Sequence, residues 1–394
     1  MVIVGVGGGL IGAGYLTALR WLTHWLGPGN RPALAQGAIL VAVGLSVSVL
    51  TRLLGDSGNV ELLVDNIHVL GGAEDVSQVR SLVPTSLLCI GAGGTMGPEA
   101  PLVQTCGTLG SWLAGRYRLD AEDMRVLTIT GMAAGFSVLF GAPLGAAVFA
   151  LEILHRRGLQ YYEAIIPALI GALAGYGIHL ALTGVGLEPL WRLPAIGTLR
   201  PTDLAWGAAC GVLGALGAIA FTLVATLARR SVQQVPPFVV PAAGGLALAL
   251  LFWWSPFALT NGETQVDVIV SGSLTASALA VAIAAKFAGL MVTLTGRWKG
   301  GFIIPLFFVG IAGGQLIHLL VPSTNVTVVM AALAVALCVG VTKTPLGSTL
   351  VVTQMAGLTL LPMSLTAAVI ALLLTSSTSM IETQRERAPL GNQP

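Results

Sequence analysis

Charge is what this sequence has least of. Only 9% of its 394 residues are Asp, Glu, Lys or Arg, where a soluble domain carries roughly a quarter, so a water-solvated globular surface is excluded. The net charge of +2 is too small to draw a nucleic acid. The basic residues stand in short clusters such as His155-Arg156-Arg157 and Arg229-Arg230, as loop anchors beside a membrane do. Cysteine is scarce as well. Cys89, Cys106, Cys210 and Cys338 are scattered through apolar sequence with no CxxC spacing, which points to burial rather than a disulfide or a metal site. The histidines, His24, His68, His155, His179 and His318, form no HExxH or other ligand spacing. There is no GxSxG elbow and no pair of intramembrane aspartates, so a membrane-embedded hydrolase finds no support. The expectation is a protein that is not an enzyme and uses neither cofactor nor metal. The opening MVIVGVGGGLIGAGYLTALRW lacks the basic start of a leader and reads as a first membrane helix.

What the chain does have is apolar length. Hydrophobic residues make up 55% and the mean hydropathy is +0.87. Uncharged runs cover Val126 to Leu151, Leu204 to Ala228, Ser231 to Gly262, Gly300 to Thr342 and Thr344 to Ile381. Several exceed the roughly 20 residues that one spanning helix needs. This describes an integral, multi-pass protein of the cell membrane, partnered by the lipid bilayer.

The runs also repeat. Gly97-Pro98-Glu99-Ala100-Pro101-Leu102 and Gly301-Phe302-Ile303-Ile304-Pro305-Leu306 share Gly, Pro and Leu at a separation of 204. Ala142-Pro143-Leu144-Gly145 and Thr344-Pro345-Leu346-Gly347 lie 202 apart, and Ser57-Gly58-Asn59 and Asn261-Gly262-Glu263 again 204. Gly-rich apolar stretches near residues 5 to 22 and 207 to 226 open each half. Apolar segments broken by Gly and Pro at matching places in two halves point to a site made of discontinuous helices at the repeat interface. A helix that starts inside the bilayer has free N–H groups and a positive dipole end, which together favour an anion. The lone acid Glu99 sits in that setting, and an intramembrane acid is functional by default.

These segments resemble the CLC chloride channels and chloride/proton antiporters. Gly55-Asp56-Ser57-Gly58-Asn59-Val60-Glu61 is similar to the family's GSGIP-type loop, Gly97 to Gln104 to its G-[KR]-E-G-P loop, and Gly301 to Pro305 to its GxFxP loop. Phe140-Gly141-Ala142-Pro143-Leu144 and Lys343-Thr344-Pro345-Leu346 resemble helices downstream of the filter. The resemblance runs from about residue 5 to 380 and implies an all-α membrane protein of two inverted-topology repeats with broken and tilted helices. The repeats are expected at 1–195 and 196–381, followed by a short polar tail, 382–394, too small for a regulatory domain. It further implies a homodimer that moves chloride or a similar small anion, with or without protons, under a gating Glu99. By position Ser57, Gly58, Ala100, Phe302 and Ile303 are the anion-binding residues. A carboxylate in such a path mimics the anion and leaves when protonated. Desolvation and neighbouring N–H donors pull that protonation in opposite directions.

The chain departs from the family pattern in five places. Pro98 stands where relatives have Lys or Arg, removing a charge and an N–H beside the gate, and Ala100 replaces a glycine. In the third loop the aromatic, Phe302, comes one position early. All five tyrosines, Tyr15, Tyr117, Tyr161, Tyr162 and Tyr176, lie in the first half, so the tyrosine that many relatives supply from their last helices is missing. Thr353 and Thr359 are the candidates to replace it, although a helical threonine more often bonds its own backbone. Finally, Ile153 occupies the place of the antiporters' second, proton-carrying glutamate, with Glu152 beside it as a possible relay or a structural acid. That substitution slightly favours channel-like passive conduction over chloride/proton antiport. A fluoride exporter of the same family is a further alternative, because Gly58-Asn59 with Ile67-His68 has some likeness to fluoride-type relatives; those lose the central serine, and Ser57 is present.

Overall fold

The computed structural model describes residues 1–29, 31–55, 64, 67–68, 72, 76–156, 159–184, 191 and 193–384. Among these, all regular structure is helical, and one isolated antiparallel bridge joins Gly97 to Gly301. The first half contains α1 (Val2–Leu26), α2 (Ala33–Leu54), α3 (Val76–Gly91), α4 (Glu99–Arg116), α5 (Ala121–Phe140), α6 (Pro143–Glu152) and α7 (Ile165–Thr183). The second contains α8 (Pro201–Ser231), α9 (Val240–Trp254), the single turn and a half of α10 (Val266–Val270), α11 (Ala276–Thr295), α12 (Ile303–Leu320), α13 (Val326–Thr342), α14 (Pro345–Ala356) and α15 (Leu361–Leu374). Among the described residues, seven helical segments are long and apolar enough to cross a bilayer.

Local chemistry explains where these helices begin and end. Asp120 caps α5 by accepting from the Asp123 N–H at 2.8 Å, and Thr275 caps α11 through the Ala278 N–H at 3.3 Å. Proline opens α6, α8 and α14, where its missing N–H costs nothing. Gly141 closes α5 in the left-handed conformation. The matching position after α13 is Lys343, also left-handed at φ 63°. Its buried ammonium donates to the carbonyls of Gly340 (2.6 Å) and Thr375 (2.7 Å) and to Thr375 Oγ1 (2.7 Å), which satisfies all three of its donors.

Small residues let the helices approach, as is usual where lipid supplies no hydrophobic drive for association. Gly5 and Gly9 of α1 face Gly171 and Gly175 of α7, and at the same step in the second half Gly207 and Gly211 of α8 face Met363 and Ala367 of α15. Gly110 meets Leu127 in the α4–α5 pair, as Gly314 meets Met330 in α12–α13.

Contacts between the halves are reciprocal, which is what a two-fold relation requires. Gly44 of α2 touches Pro241 and Ala242 of α9, while Gly245 of α9 touches Leu40 and Val41 of α2. Gly145 of α6 packs on Val351 of α14, while Gly347 of α14 packs on Phe149 of α6. At Gly97 and Gly301 each N–H donates to the other's carbonyl, at 2.8 and 2.6 Å. The axis therefore passes between the two broken loops identified in the sequence, and the expected all-helical fold is the fold found.

Candidate anion site

The two loops meet because polar groups on both sides pin them. The Thr260 N–H donates to the Gly93 carbonyl at 2.8 Å, Thr95 Oγ1 donates to the Ala258 carbonyl, and Thr293 Oγ1 donates to the Thr95 carbonyl at 3.3 Å. Lys286, wholly buried in α11, donates to the carbonyls of Leu259 (2.7 Å) and Thr260 (2.9 Å) and to Gln265 Oε1 (2.7 Å). A buried ammonium with all three donors used is a rigid staple, and it holds the segment against which the Glu99 loop rests.

Glu99 is the first residue of α4, after the N–H-less Pro98, and only 1% of it is exposed. Its side chain crosses to the other half and accepts the Ile304 N–H of α12 at 2.5 Å through Oε1. Oε2 has no hydrogen-bond partner among the described residues. A carboxylate thus sits on the free amides of a helix N-terminus, a place suited to an anion. Gly97 and Gly301 leave room for it: a Cβ on either would collide with the carboxylate. The cavity beside it is lined by Glu99, Ala100, Val103, Met132, Phe136, Ile153, Gly301, Phe302 and Ile303.

Glu99, Ala100, Phe302 and Ile303 therefore share one cavity, as their sequence positions suggest. The donor that reaches Glu99 is Ile304, one residue further on. Sequence identifies the helix start but not which of its four free amides an incoming group will use. Ser57 and Gly58 lie outside the described residues. Thr353 Oγ1 donates to its own helix, to the Thr349 carbonyl at 2.7 Å, and Thr359 is exposed, so neither presents a hydroxyl in place of the missing tyrosine.

Ile153 is in the cavity wall, and its carbonyl accepts from Gln384 Nε2 at 2.9 Å, which also donates to the Thr342 carbonyl at 2.8 Å. Glu152 turns away to α14, accepting the N–H of Leu346 (3.2 Å) and of Gly347 (2.7 Å). Across the axis Gln354 Oε1 accepts the Gly145 N–H of α6 at 3.0 Å. Glu152 and Gln354 are 202 apart, the separation of the two Pro-Leu-Gly motifs, so each caps the other's helix; that spacing was legible in advance, and the exchange of caps was not.

A helical membrane protein with two-fold-related halves, whose broken helices aim their N-termini at a buried carboxylate, is an ion-transport protein. Residues 75–376 match the family "Voltage gated chloride channel", and the chain belongs to that family. It is 28% identical over 375 residues to the "Chloride/fluoride channel protein" of Pseudomonas syringae pv. tomato, covering 88% of this chain and 78% of that protein. Its fold matches a slow cyanobacterial Cl-/H+ antiporter with TM-score 0.82 at 21% identity, covering 95% of this chain and 93% of the other. It also matches a CLC-type fluoride/proton antiporter with TM-score 0.82 at 20% identity, covering 98% and 96%.

Proposed function

We propose that the protein exchanges a halide, chloride in the first instance, for protons, with Glu99 as the group for which both compete at the head of α12. The observation that carries this reading is the Glu99 carboxylate seated on the Ile304 amide in the wall of a cavity. Deprotonated, it occupies the anion's donors; protonated or displaced, it frees them for an anion held by Phe302, Ile303, Ala100 and, from the first loop, Ser57 and Gly58. Exchange is placed ahead of the passive conduction suggested by Ile153 because two structural neighbours are antiporters. The named channel relative keeps conduction as the second reading. Fluoride is the alternative substrate, since that relative and one neighbour carry it in their names. Glu152 acts as a helix cap, residues 1–195 and 196–381 are the repeat units, and the protein works as a homodimer without cofactor or catalysis.

The test is anion flux with simultaneous proton recording in liposomes. An imposed chloride gradient should drive protons uphill in the wild type. Glu99→Gln, which cannot carry the competing charge, should uncouple the two and remove the pH dependence of chloride flux. Wild-type coupling and pH response in that variant would refute the role of Glu99. A wild type whose zero-current voltage follows chloride alone would restore the conduction reading.

A further inference from the structure

Exchange needs a protonatable group that can supply Glu99, and Ile153 cannot carry a proton. The structure brings His68 onto His155 and Tyr161, which lie 87 and 93 positions further along the chain. Ring centroids lie 5.2 Å apart for His68 and His155, 5.9 Å for His68 and Tyr161, and 4.7 Å for His155 and Tyr161. His155 is wholly buried and Tyr161 nearly so. The cluster lies against the C-terminal end of α6, whose Ile153 is in the wall of the Glu99 cavity.

Hydrogen bonds fix the tautomers. His68 Nε2 lies 2.8 Å from the Leu154 carbonyl, and His155 Nδ1 lies 3.1 Å from the Leu151 carbonyl. A carbonyl only accepts, so each of these nitrogens carries hydrogen. The basic nitrogens of the neutral rings are therefore His68 Nδ1 and His155 Nε2. The Tyr161 hydroxyl is 2.9 Å from His68 Nδ1, giving that ring a neighbour that can both give and accept a proton. Both anchoring carbonyls belong to the end of α6, and the carbonyl end of a helix stabilises a positive charge.

The charged groups of the described residues beside the cluster come from α5 and α6. From α5, Arg125 lies over the Tyr161 ring at 4.9 Å and donates Nε–H to the Ile67 carbonyl at 3.3 Å. Glu152, from α6 itself, is engaged with the α14 amides. Arg156 follows at the exposed edge. The Arg125 charge disfavours two protonated imidazoles at once.

We propose that His68, Tyr161 and His155 form the proton relay of this protein, standing in for the carboxylate that Ile153 replaces. An imidazole nitrogen takes a proton from water at the α6 end. The imidazolium gives it to a transient file of water past Ile153, and the last water delivers it to the Glu99 carboxylate, leaving the imidazole neutral. The proposal rests on the exchange reading above.

The experiment measures proton and chloride fluxes together in liposomes for the wild type, His155→Gln, His68→Asn and Tyr161→Phe, each checked for monodispersity by size-exclusion chromatography. Tyr161→Phe removes one oxygen and keeps the ring, so it guards against loss of fold in the histidine variants. Proton flux should fall about tenfold or more, the low end of what a positioned proton carrier contributes, while chloride flux stays within about twofold. A wild type without coupling would end the exchange reading and the relay with it. A coupled wild type whose variants keep the same proton-to-chloride ratio, or lose both fluxes in parallel, would overturn the relay alone.

Discussion

At the scale of single residues, the gate depends on what is missing next to Glu99. Its carboxylate reaches Ile304 only because positions 97 and 301 have no side chain. Adding one methyl at 301 meets the Glu99 side chain from its carboxylate down to its Cβ, so the carboxylate must leave its seat and the head of α4 must shift with it. Gly301→Ala should therefore push Glu99 off the α12 amides, raising chloride flux and flattening its pH dependence as Glu99→Gln does. Flux assays in which Gly301→Ala keeps the wild-type rate and pH response would show that the Glu99 seat is not what limits transport.

At the scale of elements, the short helices α6 and α14 matter most. At 10 and 12 residues they are about 15 and 18 Å long, too short to span a hydrocarbon core of about 30 Å. Their ends must therefore be satisfied by protein. The exchange of caps between Glu152 and Gln354 does this, with a carboxylate on one N-terminus and an amide oxygen on the other. Glu152→Ala should cost about 1 kcal/mol, the usual value of a cap, seen as a lowered Tm in detergent. Glu152→Gln should keep most of the stability and the proton coupling, because Gln354 already caps with an amide across the axis. Lost coupling with retained stability in Glu152→Gln would return the relay role to Glu152.

At the scale of the whole molecule, selectivity follows from the donors the pathway can offer. The described part supplies main-chain amides of α12 and apolar walls from Val103, Met132, Phe136 and Ile153, and neither Thr353 nor Thr359 adds a hydroxyl. Fluoride costs more to dehydrate than chloride, and few strong donors are available to repay that cost. Chloride should pass faster than fluoride, and Ser57→Ala should weaken chloride binding about two- to tenfold, the worth of one hydrogen bond. An ion-selective-electrode efflux assay with fluoride outrunning chloride would move the substrate to fluoride.

Composition and spacing alone determined the membrane class, the two-fold repeat, and Glu99 as the acid at its centre, because each rests on a local property. Low charge sets the solvent, Gly and Pro break helices where they stand, and a constant separation near 204 survives in the chain itself. The pairing of groups across the axis was decided only by tertiary structure. Which amide of α12 receives Glu99 depends on the phase of a helix start to within one residue. That Glu152 faces α14 and not the cavity depends on a side-chain direction at a helix end. His68, His155 and Tyr161 became a cluster only when His68 came against the end of α6, bringing together residues 93 positions apart; no periodicity along the chain encodes so distant a contact, because it is tertiary packing that makes it.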